Sequence, residues 1–284
     1  MGKIVWLASY PKSGNTWLRA FLHNLLRDVD EPYDINRLSD FTLGDAQAAW
    51  FQVFDSRPIE QWSKEEVAAM RPRVHESMTK AFPDSVFVKT HNALVEDRGH
   101  PMITMALTAG AIYVIRNPLD VVISHSHHYG LTVDQSIFVL NRPDVEGETE
   151  GRYVYEGHGS WSQHVASWTS VPNPSLLVVR YEDMAEGPHE AFGRVTAFLG
   201  LRPSRKRLHK AIKLSSFKQL REMEERHGFR ERTLKAGRFF RVGRPGQWRD
   251  ALTAAQIDAV VDANREMMSR FGYLPNGKPA ANKH

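Results

Sequence analysis

The sequence Lys3-Ile-Val-Trp-Leu-Ala-Ser-Tyr-Pro-Lys-Ser-Gly-Asn-Thr-Trp17 joins three local patterns. The apolar run at residues 4–8 predicts a buried strand that ends at Tyr10-Pro11. A short polar loop with Lys12 and Gly14 follows. A helix is then predicted, because apolar residues recur at helical spacing at Trp17, Leu18, Phe21, Leu22, Leu25 and Leu26.

A strand, a small-residue loop and a helix start together predict a phosphate-binding site. Free backbone N–H groups and the helix dipole converge on an anion at such a place. Lys12 adds a full positive charge there. The nucleotide-binding pattern G-x-x-x-x-G-K-[ST] does not occur, and the lysine precedes the glycine. The loop therefore need not serve ATP chemistry.

The composition is that of an ordinary globular protein, with 284 residues, 42% hydrophobic and 25% charged. No apolar stretch approaches the roughly 18 residues that span a membrane, and the N-terminus does not resemble a signal peptide. We therefore expect a cytoplasmic protein without a membrane partner. The absence of cysteine excludes disulfide and thiolate chemistry.

The net charge of +4 favours a polyanionic ligand. Nucleic acid is not expected as a partner, because the basic residues are scattered along the chain. Their densest cluster, at residues 202–213, has helical spacing and is interpreted as a solvated helix face.

Further strand-like runs at residues 86–89, 111–115 and 176–179 alternate with helical patterns. This alternation predicts an α/β fold with a central parallel sheet, helices on both faces and a P-loop-like phosphate-binding loop after the first strand. A single domain is expected over residues 1–284, because no linker divides the chain.

Local signals predict where several of the helices begin and end. Ser63-Lys-Glu-Glu66 is a capping box that opens a helix towards Lys80, which Pro72 should kink or interrupt. Other helices are predicted from Asn117-Pro118 to His128, over residues 188–199 and over residues 253–271. Residues 131–158 and 227–247 are predicted to be long loops, which often bind ligands or act as lids.

The segment Ala111-Ile-Tyr-Val-Ile-Arg-Asn-Pro-Leu-Asp-Val-Val-Ile-Ser124 again runs from a strand into a capped helix. Arg116 lies at the strand end, and Ser124 lies about two helical turns into the helix. Arg116 could cap carbonyls or pair with Asp120. It could also hold a phosphate, since its guanidinium matches phosphate geometry and the carboxyl edge of a parallel sheet is where such folds bind ligands.

A third strand ends in Lys89-Thr-His91. A histidine at a strand end can remove a proton near neutral pH, although a lone histidine is often structural. His125, His127 and His128 cluster, but only two of them share a helix face and no HExxH pattern occurs. No metal site is expected.

Together these segments resemble the sulfotransferases that use 3′-phosphoadenosine 5′-phosphosulfate (PAPS), of the cytosolic small-molecule type. Tyr10-Pro-Lys-Ser-Gly-Asn-Thr-Trp17 resembles the family's 5′-phosphosulfate loop. The stretch from Arg116 to Ser124 resembles its 3′-phosphate motif, and Lys89-Thr-His91 resembles the strand that bears its base. Further similarities, in family order, are Gly159-Ser-Trp-Ser-Gln-His-Val165 with Trp168, Arg180-Tyr-Glu-Asp-Met184, Ser215-Ser-Phe217 and Phe240-Arg-Val-Gly-Arg-Pro-Gly-Gln-Trp248.

The resemblance implies a role for each matching residue. His91 would be the general base, Lys89 would assist at the sulfuryl group, and Lys12 would stabilise the leaving 5′-phosphate. Ser124 would restrain Lys12 until the acceptor arrives. The remaining contacts would be made to the 5′-phosphate by Lys12, Ser13, Gly14, Asn15 and Thr16, to the 3′-phosphate by Arg116, Ser124, Arg241 and Gly243, and to adenine by Trp17, Tyr181, Ser215 and Phe217.

The sequence departs from the family pattern in two ways that affect the cofactor site. Asn15 replaces a common threonine, and an amide still permits hydrogen bonds. Val242 replaces a lysine that is usual in eukaryotic members, so Arg238, Arg244 or Arg249 is expected to compensate. No clear dimer segment is found near the C-terminus, which leaves the oligomeric state open.

The implied reaction transfers a sulfuryl group in line from PAPS to a hydroxyl, or an amine, of a small-molecule or natural-product acceptor. The product would be 3′-phosphoadenosine 5′-phosphate (PAP). Aromatic residues at 31–60 (Tyr33, Phe41, Trp50, Phe51 and Phe54) and the segments 127–158 and 227–240 are candidates for the acceptor site, which would suit an aromatic or lipophilic alcohol. Two alternatives remain, a P-loop nucleotide kinase or hydrolase and a non-enzymatic polyanion-binding protein.

Overall fold

A computed structural model describes residues 2–275 and places a five-stranded sheet at the centre of the protein. All the pairings in this sheet are parallel, and the strand order is β2-β3-β1-β6-β7. A separate pair of two-residue strands, β4 and β5, is antiparallel. The strands are β1 (Ile4–Ser9), β2 (Thr42–Gly44), β3 (Val86–Thr90), β4 (Glu96–Asp97), β5 (His100–Pro101), β6 (Thr108–Ile115) and β7 (Leu176–Arg180).

The strand register brings the segments after β1, β3 and β6 to one edge of the sheet. Leu7 of β1 is paired with Lys89 of β3 on one side and with Ile112 of β6 on the other. The strands are parallel, so their carboxyl ends, and the loops that follow them, lie side by side. This edge is where open parallel sheets bind their ligands.

Twelve α-helices connect and cover the strands in the described part of the chain. Three short 3₁₀ helices, at Ile35–Asp40, Ile59–Gln61 and Met105–Leu107, accompany them. The α-helices are α1 (Asn15–Arg27), α2 (Ala48–Phe51), α3 (Lys64–Met78), α4 (Pro118–Tyr129), α5 (Val133–Asn141), α6 (Trp161–Thr169), α7 (Tyr181–Glu186), α8 (Pro188–Phe198), α9 (Arg205–Leu214), α10 (Phe217–His227), α11 (Trp248–Ala251) and α12 (Ala254–Arg270).

The sheet is buried on both faces because alternate strand residues point to opposite sides. Trp6 and Tyr113 belong to a core that includes residues of α3, α4, α6 and α12. Leu7 and Val114 belong to a second core, with residues of α1, α8 and α9. This arrangement confirms the predicted α/β class with helices on both faces of a parallel sheet.

Two local predictions, an interruption of α3 at Pro72 and a single loop over residues 131–158, do not agree with the structure. Helix α3 opens at the Ser63 capping box as predicted, but it continues through Pro72 without interruption. Its buried face, which includes Val67 and Val74, packs into the core and offsets the lost hydrogen bond. Residues 131–158 are also not one loop, since they contain α5, which begins with a capping box at Thr132.

The other predicted elements agree with the structure within a few residues at their ends. The segment 227–247 contains no α-helix or strand after the last residue of α10, and the basic cluster at residues 202–213 lies mainly on the partly exposed helix α9. None of the helices in residues 2–275 combines the length and the apolar character that crossing a membrane requires. The expected single domain over 1–284 stays a prediction, since residues 1 and 276–284 are outside the described part.

Candidate functional site

A cavity of about 520 Å³ opens at the carboxyl edge of the sheet. Lys12 follows β1, His91 follows β3 and Arg116 follows β6, so three neighbouring strands each supply one lining residue. The predicted site residues in the lining are Lys12, Gly14, Asn15, Thr16, Trp17, Lys89, His91, Arg116, Ser124, Tyr181, Phe217, Arg241 and Gly243.

The loop after β1 adopts an unusual backbone conformation. Lys12 has φ 67° and Gly14 has φ 108°, and both angles lie in a region that residues with side chains rarely occupy. A Cβ atom on Gly14 would also lie 2.7 Å from the ring of Tyr181. Glycine is therefore required at position 14, both by the backbone angle and by the lack of room for a side chain. The strained backbone of Lys12 makes the loop a candidate for a functional site.

Asn15 anchors this loop to the sheet. Its Nδ2 donates to the carbonyl oxygen of Leu7 at 2.8 Å, while its Oδ1 is buried without a partner. Ser13 is buried as well, does not line the cavity, and has an unpartnered Oγ. The Asn15 side chain thus fixes the loop to β1. The sequence predicted only that an amide at this position can still form hydrogen bonds, and did not predict this bond to the strand.

Arg116 is buried and connects β6 to the loop after β1. Its Nη1 donates to the carbonyl oxygen of Lys12 at 3.0 Å, and its guanidinium carbon lies 4.2 Å from the ring centroid of Tyr181. Its Nε is buried and has no hydrogen-bond partner in the described residues. Asp120 does not pair with Arg116, because its carboxylate accepts hydrogen bonds from the backbone N–H groups of Gly246 and Trp248.

Aromatic rings surround the part of the cavity next to Arg116. The Tyr181 hydroxyl donates to the carbonyl oxygen of Gly243 at 2.9 Å. Gly243 has φ 75°, and a Cβ atom there would lie 2.3 Å from the Phe217 ring. Trp17 packs edge-on against Tyr181 and Phe192 with centroid distances of 5.6 and 6.1 Å. It is only partly buried, so it contacts both the core and the cavity.

The Lys12 ammonium is largely removed from solvent and lies near the positive charge of Arg116. Burial, together with the charge of Arg116, lowers the pKa of Lys12 to about 7. Its Nζ lies 3.7 Å from the ring centroid of Phe239, and it forms no hydrogen bond with Ser124 in the described structure. Lys12 therefore titrates in the neutral pH range before any anion is bound.

His91 is arranged as a neutral base. Its Nδ1 lies 2.8 Å from the carbonyl oxygen of Ser9. A carbonyl oxygen can only accept, so Nδ1 carries the proton and Nε2 keeps a free lone pair. Burial, with a contribution from the charge of Lys89, lowers the pKa of His91 well below its usual value. No described residue forms a hydrogen bond with Nε2.

Glu156 is paired with Lys89 beside this base. The Lys89 Nζ lies 3.3 Å from Glu156 Oε1, and the same oxygen accepts from the backbone N–H of His91 at 3.2 Å. Burial opposes ionisation of Glu156, but the charge of Lys89, together with the nearby His158 and His91, holds the pKa of this carboxyl well below its usual range. Glu156 therefore neutralises Lys89 and fixes the backbone that carries His91.

The structure does not bring Ser215 to the cavity. Its side chain is fully buried, and its Oγ donates to the carbonyl oxygen of Ala211 at 2.9 Å. This is the usual back-bonding of a serine at the end of a helix. The adenine contact implied by the resemblance is not supported at Ser215.

The expected compensation for Val242 is also absent. Arg238 pairs with Glu225, Arg244 pairs with Asp250, and Arg249 lies over the ring of Trp248. None of these three arginines lines the cavity. Arg241 does line it, and its Nη2 donates to Gln247 Oε1 at 2.7 Å.

The aromatic residues expected to line an acceptor site lie elsewhere. Tyr33, Phe41, Trp50, Phe51 and Phe54 are absent from the cavity lining and pack in or against the hydrophobic cores or other aromatic rings. In this region the lining is instead formed by Gly44, the last residue of β2, and by Ala46 and Gln47, which follow the strand. Strand β2 has only three residues, too few for its pattern to be recognised in the sequence.

The charged residues of the lining include several that the sequence did not single out: Arg19, and also Arg152, Glu156, Arg230, Glu231 and Arg232, which lie in the segments 127–158 and 227–240 expected to line the acceptor site. The lysines and arginines are Lys12, Arg19, Lys89, Arg116, Arg152, Arg230, Arg232 and Arg241, and the carboxylates found in the described lining are Glu156 and Glu231. Arg19 and Glu231 are paired at 2.7 Å. The excess of cations suits a ligand with several negative charges. The described residues contain no cluster of three or more His, Asp or Glu side chains that could hold a metal ion.

Comparison with known proteins identifies a family to which this chain is similar over nearly its whole length. A model of the sulfotransferase domain family matches residues 3–272. Rat sulfotransferase 2A6 is 25% identical over 274 residues, which is 93% of this chain and 84% of the rat protein. A guinea-pig (Cavia porcellus) 3-beta-hydroxysteroid sulfotransferase is 25% identical over 276 residues, covering 94% of this chain and 83% of its own.

A solved structure with a similar fold is that of retinol dehydratase in complex with retinol and PAP. Its TM-score is 0.63 at 19% identity, and the match covers 99% of this chain and 84% of that one. At this identity the likeness shows the fold alone.

Proposed function

The chain belongs to the sulfotransferase family, and from this we propose that it transfers a sulfuryl group from PAPS to a hydroxyl, or an amine, of a small-molecule or natural-product acceptor. The observation that carries this proposal is the meeting of Lys12, Arg116 and a neutral His91 in one cavity. Family membership also argues against a nucleotide kinase and against a polyanion-binding protein without activity.

The residues present fit PAPS. Buried donors without partners are costly unless a ligand satisfies them, and Arg116 Nε, in a residue that lines the cavity beside the loop after β1, is such a donor. Lys12 and the backbone of residues 13–16 would hold the 5′-phosphate. The 3′-phosphate would be held by Arg116, Ser124, Arg241 and Gly243, and the adenine by Trp17, Tyr181 and Phe217. When bound, PAPS supplies a sulfuryl group attached to a phosphate leaving group.

His91 would accept the proton of the attacking hydroxyl at Nε2. Its Nδ1–H stays bonded to the carbonyl of Ser9, which keeps the ring in the required tautomer and orientation. The Lys89 charge, balanced by Glu156, would lie beside the transferred group without raising the pKa of the base. Lys12 would stabilise negative charge on the leaving phosphate oxygen, since preorganised cations act where charge develops.

The proposed function is tested by thermal stability in the presence of nucleotides. PAP should raise the melting temperature, because a ligand that binds only the folded state stabilises it. ATP with Mg²⁺ or heparin should have a smaller effect. A shift with ATP and Mg²⁺ but none with PAP would contradict the proposal, and transfer of label from PAPS to a diverse acceptor panel would establish the reaction.

A further prediction concerns the pH dependence of PAP binding. The free protein has a Lys12 pKa of about 7, and a bound phosphate should raise this pKa. Above pH 7 binding must therefore take up a proton, so PAP affinity should fall as the pH rises above 7, by up to about tenfold per pH unit. Calorimetry at pH 8 in buffers of different ionisation enthalpy measures this uptake.

The matched variant is Lys12→Met, which cannot take up the proton. The PAP affinity of Lys12→Met should be lower than that of the natural protein at pH 7. It should not fall further at higher pH through deprotonation of residue 12, because methionine does not titrate. Equal proton uptake by the natural protein and Lys12→Met would show that another group titrates.

A further inference from the structure

The order of the strands separates two ends of the cavity. Lys12, Arg116 and Tyr181 follow β1, β6 and β7, and they form the end proposed for PAPS. His91 follows β3, and Gly44 ends β2, the outermost strand on the other side. Neighbouring strands are about 4.8 Å apart, so the β2 end lies roughly 10 Å from β1. We call the part of the cavity beside β2 and β3 the acceptor end.

Arg152 is held at the acceptor end by its backbone. The N–H of Ala48 donates to the Arg152 carbonyl at 2.9 Å, and the N–H of Val154 donates to the Ala46 carbonyl at 2.8 Å. These bonds fasten the chain around Arg152 to the segment that follows β2. Arg152 lines the cavity and is exposed to solvent. It forms no ion pair with any of residues 2–275.

Arg230 approaches the same end from the segment after α10. Its backbone N–H donates at 2.8 Å to Oδ1 of Asn36, in the 3₁₀ helix that precedes β2. Arg230 is also exposed, lines the cavity and has no ion-pair partner in the described chain. By contrast, Lys89 is paired with Glu156.

The two arginines therefore give the acceptor end a positive charge that no described carboxylate balances. Around them, the lining has small and amphipathic side chains such as Ala46, Gln47 and Tyr153 rather than a continuous apolar wall. A guanidinium is the side chain best suited to a carboxylate or phosphate, because it offers parallel N–H donors.

We infer that the acceptor carries an anionic group, a carboxylate or a phosphate ester, in addition to the hydroxyl that receives the sulfuryl group. Arg152 and Arg230 bind this anion while the hydroxyl reaches His91. The inference rests on the proposed function and replaces the lipophilic alcohol expected from the sequence. It also sets this protein apart from the steroid and retinol named for its relatives.

The test uses three compounds with the same hydroxyphenyl scaffold. They are 4-hydroxyphenylacetate, 4-hydroxybenzyl phosphate and the neutral 4-hydroxyphenylacetamide. Binding of each is measured by calorimetry with the PAP-loaded protein, and initial rates are measured with PAPS. At least one of the anionic compounds should bind about tenfold or more tightly than the amide, and the better one identifies the anion.

Arg152→Gln and Arg230→Gln should each reduce this preference severalfold. Arg202→Gln is the matched control, since Arg202 is exposed and does not line the cavity. Equal binding of all three compounds, no binding of any, or an unchanged preference in both cavity variants would overturn the inference. Failure of PAP itself to bind would instead overturn the proposed function, so the two failures are distinguishable.

Discussion

Replacement of His91 by alanine should lower turnover by about 10²- to 10⁴-fold, the usual contribution of a general base. PAP affinity should change little, because His91 follows β3 and is not among the proposed phosphate contacts, which lie in the loop after β1, at the end of β6, on α4 and at residues 241–243. Turnover is measured as label transfer from PAPS, and affinity by calorimetry. His127→Ala is the matched control, since His127 is exposed and does not line the cavity.

The pH profile of the natural enzyme gives an independent measurement of the same base. Burial lowers the pKa of His91 well below 6.5, so the residue is neutral at and above that pH. Activity that depends on neutral His91 should be lost only as the pH falls through this lowered pKa. The acid limb of kcat/KM for the acceptor should therefore lie below pH 6.5. An acid limb at or above 6.5, or unchanged turnover in His91→Ala, would remove His91 as the base.

Replacement of Arg116 by alanine should weaken PAP binding by about 1.5–3 kcal/mol, the range for a hydrogen bond to a charged group. The physical reason is the loss of a buried guanidinium whose Nε has no partner among residues 2–275. Arg116→Lys should recover only part of the affinity, because an ammonium keeps the charge but not the planar fork. Calorimetry with PAP provides the measurement, and Arg202→Gln serves again as the control.

Loss of Arg116 should also change Lys12. The charge of Arg116 helps to lower the Lys12 pKa, so this pKa should rise in Arg116→Ala. The uptake of a proton on PAP binding at pH 8 should then decrease. Arg116 also holds the Lys12 carbonyl, so the melting temperature of each variant is needed to recognise simple unfolding. Unchanged PAP affinity in a folded Arg116→Ala protein would show that the 3′-phosphate site is wrongly assigned.

The sequence correctly predicted that Lys12, His91 and Arg116 lie at one edge of the sheet, because local signals and strand order coincide there. The apolar runs before Lys12, His91 and Arg116 predicted strands, and parallel strands place their carboxyl ends at one edge. The arrangement of these residues around one cavity follows from that rule. Ser215 did not follow it, because its hydroxyl is satisfied within its own helix end.

The acceptor end was less accessible to sequence reasoning. The segments 127–158 and 227–240 were expected to line this site, but Glu156, Arg152 and Arg230 could not be singled out within them. Their positions depend on long-range contacts with His91, Ala48 and Asn36. The aromatic residues near position 50 were assigned to the acceptor site on composition alone. Packing placed them away from the cavity, since burying a large aromatic side chain in a core is strongly favourable.

The sequence by itself determined the α/β class, the loop at Lys12 and the strand-end positions of His91 and Arg116, because these depend on short-range periodicity and on the geometry of parallel strands. The tertiary structure alone decided the protonation of the site. Burial beside Arg116 lowers the Lys12 pKa, and the Ser9 carbonyl selects the His91 tautomer. Such effects depend on distances between segments far apart in the chain, and no local pattern encodes those distances.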